Sequence, residues 1–166
     1  MRHVTALMLI VFGIATPALA LDGYPTTSLA EDATATWCPY CPEAYAGLDV
    51  VHSRYDATEF ISARYYSSSS GGGLATPETD AAISYYGITG FPTVMINGTE
   101  RFVGGDETIA SGGPYLGVVD AACLAPAPIR IDVDSFDPAT GEVAATLTMY
   151  SESDTLQGDH IRFLLL

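Results

Sequence analysis

The sequence predicts an α/β fold followed by a small β-rich segment. Three observations carry this. Strand-like and helix-spaced segments alternate over residues 31–124, the pattern of domains that layer helices on a sheet. A cysteine pair, Cys38 and Cys41, lies between one such strand and the helix after it. Beyond Ala125-Pro126-Ala127-Pro128 the pattern becomes a strict two-residue alternation, which is the period of a half-buried strand.

The elements follow in chain order. Residues 1–20 have the layout of a secretory signal peptide: Arg2 and His3 first, an apolar run over 4–15 interrupted only by Thr5 and Gly13, then Thr16-Pro17 and Ala18-Leu19-Ala20. The apolar run falls short of the roughly 20 residues that span a bilayer. An exported chain beginning at Leu21, periplasmic or extracellular and with no stable membrane span, is expected. Disulfides persist in such compartments. Residues 21–29 read as an irregular arm or edge strand. Residues 31–37, rich in threonine and small side chains, suit a strand buried on both faces. Over residues 42–55, Tyr45, Leu48, Val51, His52 and Tyr55 recur at intervals of three and four, which is helical spacing. Residues 59–66 read as a second strand.

The serines and glycines of residues 67–73 predict a flexible loop. Thr76 as cap, Pro77 at the first position and the acids Glu78 and Asp80 start a helix over 77–86, and Gly87 stops it. Asn97-Gly98 between short apolar runs predicts a hairpin of strands 93–96 and 100–103. A last helix over 107–124 is interrupted or delayed by Gly112-Gly113-Pro114, with a start near Pro114 preferred. After the boundary, Ile129, Ile131 and Val133 alternate with polar residues. Val143, Ala145, Leu147 and Met149 do the same, and residues 161–166 form a further apolar run. Three strands in about 40 residues are too few for independent stability. That segment is expected to be incomplete, as in a fragment, or to pair with another chain. The expected division is 1–20 signal peptide, 21–126 main domain and 127–166 β-rich segment.

Composition narrows the partners. The chain has 166 residues, 48% hydrophobic, and 20 acids against six arginines and no lysine, for a net charge of −14. Such a surface repels nucleic acid and anionic lipid, so neither is expected as a partner.

The chemistry is carried by Trp37-Cys38-Pro39-Tyr40-Cys41-Pro42. Two intervening residues at a helix start bring two sulfurs within disulfide range. The first lies beside the unpaired amides of the first turn, which favour a thiolate. Pro39 can hold the turn without sacrificing a needed donor. A structural disulfide and half a zinc site are the competing readings. Zinc needs two more ligands, and Cys123, His52 and His160 show no second paired spacing. Haem attachment needs histidine at position 42, where the chain has proline.

Residues from about 31 to 124 resemble the thioredoxin superfamily. The residues that carry the resemblance are Trp37-Cys38-Pro39-Tyr40-Cys41 and Tyr86-Gly87-Ile88-Thr89-Gly90-Phe91-Pro92-Thr93, the latter like that family's cis-proline segment. Asn97-Gly98 and Gly104-Gly105 also fall where the family has a turn and a glycine. The resemblance implies a central mixed sheet flanked by helices, with Pro92 cis and facing the cysteine pair. It implies thiol–disulfide exchange by Cys38 and Cys41 with protein substrates and a redox partner protein, and neither cofactor nor metal. Phe91 would offer its backbone to an extended substrate, and Trp37 would pack over the motif and shield it. An acid six residues before the first cysteine, Asp32, would help move the proton of Cys41, with Glu31 competing for that role. The chain has no lysine to serve as the basic partner often found beside that acid. The Pro39-Tyr40 pair is the one found in glutaredoxins, and the β-rich tail lies outside the thioredoxin fold.

Cys123, late in the last helix, reads as a buried inert thiol. Asn97-Gly98-Thr99 matches a glycosylation sequon that the hairpin explains. Two other functions stay open: a non-catalytic module of a larger secreted or surface protein, and a copper-handling protein that would need His52 or His160 near the cysteines.

Overall fold

The computed structural model describes residues 23–70 and 73–150. The signal peptide, His160 and the apolar run over 161–166 lie outside the described residues. Four strands, β1 (Ser28–Thr34), β2 (Phe60–Tyr66), β3 (Thr93–Ile96) and β4 (Glu100–Val103), form one sheet in the order β2-β1-β3-β4. β1 runs parallel to β2 and antiparallel to β3, and β3 is antiparallel to β4. The helices are α1 (Cys41–Arg54), α2 (Pro77–Tyr85), the single turn α3 (Glu107–Ala110) and α4 (Gly113–Leu124).

β1 is an interior strand, and its composition reflects this. Every residue from Ala30 to Thr34 is buried, so both faces of the pleat carry core side chains. Ser28 and Leu29, expected in an irregular arm, belong to this strand. It ends at Thr34, short of the expected Trp37, and Cys38 N–H donates to Ala35 C=O at 3.1 Å in the turn that follows.

Alternation along β1 and β3 separates two cores. Ala30, Val94 and Ile96 join Leu48 and Val51 of α1, Phe60, and Tyr115 and Val119 of α4. Ala33 and Met95 face the other way, with Tyr65, Ile83 of α2 and Ile88. The sheet is therefore sandwiched between α1 with α4 and α2. Each large apolar side chain buried in these layers contributes about 1.5–3 kcal/mol relative to exposure.

Local chemistry sets the helix ends. Thr76 Oγ1 accepts from Thr79 N–H and Thr79 Oγ1 accepts from Thr76 N–H, a reciprocal cap at the start of α2. The expected helix over 107–124 is divided. Gly112 adopts φ 73°, a left-handed conformation that glycine alone adopts without strain, and this separates α3 from α4.

The loop expected to be flexible is ordered over its described first half. Ser68–Ser70 form a 3-10 turn, and Ser68 N–H donates to Asp80 at 2.9 Å. β5 (Ile129–Asp137) and β6 (Glu142–Met149) make a separate antiparallel pair with an irregularity between Val133 and Ser135. Tyr24 clasps this pair to the main sheet's domain. It bridges to Ala127, meets Tyr150 edge to face at 5.9 Å and lies under the Arg130 guanidinium at 5.3 Å.

Candidate active site

Cys38 and Cys41 form a disulfide at the junction of the post-β1 turn and α1, with Cα atoms 5.5 Å apart. Tyr40 caps α1 without a side-chain hydrogen bond, and Pro42 occupies its first turn. The amides of that turn therefore keep their positive field for whatever charge develops on sulfur. Both cysteines are buried with Ala35, and Phe91 packs against the three of them. The Phe91–Pro92 peptide bond is cis, as the resemblance implied. Pro92 is fully buried, and its carbonyl accepts from Gly104 N–H at 2.8 Å.

Trp37 departs from expectation. It is 59% exposed, touching Phe91 edge to face at 6.0 Å and donating its indole N–H to Ser69 Oγ at 3.3 Å. It flanks the motif and leaves it uncovered. Tyr40, also 59% exposed, and Pro39 stand on the surface. The serine turn braces this edge, since Thr36 donates its hydroxyl to Ser70 C=O and accepts Ser70 Oγ at its own N–H at 3.3 Å. On the other flank, a Cβ added at Gly105 would lie 2.1 Å from the Tyr40 carbonyl oxygen. The backbone of residue 105 thus rests against the cysteine loop.

The pleat decides between the two acids. Asp32 is 2% exposed and lines an open cleft of about 340 Å³ together with Cys38 and Cys41. Glu31, on the opposite face, accepts from Tyr65 Oη at 2.7 Å and from Tyr86 Oη. Asp32 therefore shares a cavity with the sulfurs and Glu31 does not. Burial pushes the Asp32 carboxyl up, and the Arg64 guanidinium, donating through Nε to Oδ2 at 3.0 Å, pulls it partly back. Its Oδ1 has no hydrogen-bond partner.

Arg64 went unrecognised in the sequence, where the lack of lysine suggested that the acid had no basic partner. An arginine holds that position instead, directly across the parallel β1–β2 register from Asp32. The single cation in an otherwise apolar strand, Phe60-Ile61-Ser62-Ala63-Arg64-Tyr65-Tyr66, was the available signal.

The strand order, the cysteine pair ahead of α1 and the cis proline ahead of β3 together decide the architecture. The fold is thioredoxin-like. Similar solved structures include the germline-specific thioredoxin Deadhead of Drosophila melanogaster (17% identity, 54% of this chain and 79% of that one, TM-score 0.38). Fasciola hepatica thioredoxin is another (16% identity, 61% and 84%, TM-score 0.40). HBP35 of Porphyromonas gingivalis aligns over 67% of this chain but only 37% of its own length (17% identity, TM-score 0.47). No protein-family model and no curated protein matches the chain. The thioredoxin-like assignment therefore stands on topology and site geometry.

The remaining candidates lie apart from the cysteine pair. His52 meets Ser62 Oγ at 2.8 Å and stacks edge-on against Phe60. No histidine lines the cleft, and no cluster of three or more His, Cys, Asp or Glu able to hold a metal occurs among the described residues. Cys123 is a free, half-buried thiol, its pKa raised by desolvation and by the nearby Glu59 and Asp120 charges. Asn97 spends its amide in the hairpin, Oδ1 accepting from Leu29 N–H at 3.0 Å. No helix among the described residues is long and apolar enough to cross a membrane.

Proposed function

We propose that this chain exchanges thiols for disulfides with protein substrates, using Cys38 as nucleophile and Cys41 as resolving thiol. The observation that carries the reading is the Cys38–Cys41 disulfide at the uncapped start of α1, sharing its cleft with the buried carboxyl of Asp32. In the reducing direction the Cys38 thiolate attacks a substrate disulfide, forming a mixed disulfide and releasing one substrate thiolate. Cys41 then attacks Cys38 Sγ. The Cys38–Cys41 bond forms, the mixed disulfide breaks, and the second substrate sulfur leaves with the electron pair. Substrate oxidation runs the same steps backwards.

Asp32 has a role in this scheme through its Oδ1. A carboxyl whose pKa is raised by burial can take up the Cys41 proton as that sulfur becomes a nucleophile, or return it, through solvent in the open cleft. Phe91, packed against the cysteines, and the backbone beside Pro92 would receive an extended substrate segment. A redox partner protein would restore the spent state through the same surface.

The deciding assay is insulin reduction by the protein with dithiothreitol as reductant. Wild type is expected to exceed the background rate by about a hundredfold or more, and Cys38→Ser to fall to background, as loss of a nucleophile requires. Equal background rates for both proteins would reassign the chain as a non-catalytic thioredoxin-like module. Export is part of the reading and rests on the pattern of residues 1–20. Mass spectrometry of the expressed protein would refute it by finding those residues retained on an intracellular chain.

A further inference from the structure

The cleft beside the disulfide holds more than the proton path needs. It is lined by Cys38, Cys41, Asp32, Thr36, Tyr45 and Arg64, among others. Only Nε of the Arg64 guanidinium is engaged, by Asp32, while its Cζ lies 4.3 Å from the centroid of the Tyr45 ring. Its two Nη groups make no hydrogen bond or ion pair among the described residues. The side chain is 34% exposed, whereas Asp32 is 2% exposed with Oδ1 unpartnered in the same cavity. A forked donor with free N–H groups, held flat by an aromatic ring, is built to receive a carboxylate in bidentate fashion. A volume of about 340 Å³ is at the small end of ligand pockets and suits a molecule of modest size.

We propose that this cleft binds a low-molecular-weight thiol bearing a carboxylate, with the carboxylate on the Nη groups of Arg64, the carbon stem over Tyr45 and the sulfur at the Cys38–Cys41 disulfide. The proposal rests on the thiol-exchange reading and names a small-molecule partner for it. The ligand thiolate attacks Cys38 Sγ, the new bond forms as the Cys38–Cys41 bond breaks, and Cys41 leaves with the electron pair and takes a proton. A second thiolate attacks the ligand sulfur of that mixed disulfide and frees Cys38. Two small thiols are thereby oxidised to one disulfide, and the cysteine pair gains two electrons and two protons.

The net charge of −14 gives the experiment its contrast. Long-range repulsion alone ranks a cationic thiol fastest and an anionic one slowest. Reduction of the oxidised full chain is followed by the fluorescence of Trp37, the only tryptophan, using 3-mercaptopropionate, 2-mercaptoethanol and 2-aminoethanethiol, with rates expressed per thiolate. 3-Mercaptopropionate is expected to outrun 2-mercaptoethanol by about tenfold, the scale of one charged hydrogen-bonded contact. In Arg64→Gln the ratio of those two rates is expected to fall to one or below. Wild type gives an independent check should that variant fold poorly: propionate, which has no thiol, should slow 3-mercaptopropionate and leave 2-mercaptoethanol unaffected.

A wild-type ratio at or below one, a ratio unchanged in folded Arg64→Gln, or no competition by propionate would each overturn the proposal. In those cases normal reduction by dithiothreitol with insulin turnover would leave the exchange reading standing. A disulfide inert to every thiol, dithiothreitol included, would overturn both.

Discussion

Asp32 and Glu31 are neighbours in the chain that the pleat sends to opposite faces of the same strand, and their surroundings give them different work. Glu31 is tied by two tyrosine hydroxyls. Asp32 keeps one oxygen unpartnered beside the sulfurs. Because its folded pKa is raised above the ordinary value of 3.8, chiefly by desolvation, the fold prefers the protonated acid. Its contribution to stability is thus fully present below pH 3.8 and is lost as pH rises through the folded value. Asp32→Asn is expected to be more stable than wild type at pH 7, with the gain vanishing as pH falls below 3.8. Urea melts of the two proteins across that range check it, and a variant less stable at pH 7 would refute the assignment. The acid itself was legible from its six-residue distance to Cys38. Its arginine was not, because a parallel pair places residues 32 positions apart side by side, and one sequence does not reveal strand register.

Elements with local signals came through the sequence best. The hairpin of β3 and β4 has the bounds that Asn97-Gly98 implied, and α2 begins at Pro77 as its cap predicted. Thr76→Ala removes one half of that reciprocal cap and is expected to cost about 1 kcal/mol by chemical denaturation, with little change in insulin reduction because α2 packs on the face away from Asp32. Long-range signals were harder to read. The serine loop looked flexible by composition, yet its 3-10 turn is fastened to Thr36 and Trp37 by contacts across more than thirty residues. Trp37 looked like a cover because tryptophan usually buries its area. Its bond to Ser69 instead holds it open at the surface. Gly112 was read correctly as an interruption, while the separate turn of α3 before it was too short to show a period.

The whole molecule joins a three-layer domain with a complete core to a two-strand hairpin with little core of its own. Both main clusters are built from residues 30–119, and nothing in them comes from β5 or β6. Ile131, Val133 and Phe136 of β5 are exposed, and an isolated two-strand sheet is marginal in water. A chain ending at residue 126 is therefore expected to keep its insulin reductase activity and the main unfolding midpoint within about 3 °C, since the lost contacts reduce to the Tyr24 clasp. Differential scanning calorimetry of the shortened and full chains tests this, and loss of the cooperative transition would show that the hairpin is integral. The change of pattern after residue 125 made this division visible, whereas the clasp was hidden in a segment with no periodicity.

Gly105 has a consequence for how redox behaviour could drift without any change at sulfur. With no room for even a methyl group between its backbone and the Tyr40 carbonyl, residue 105 acts as a fixed stop behind the reactive loop. A larger residue there would shift the cysteine turn relative to the start of α1 and so alter the field at sulfur. The tuning of this pair is therefore held partly by a remote position whose contribution is the absence of a side chain.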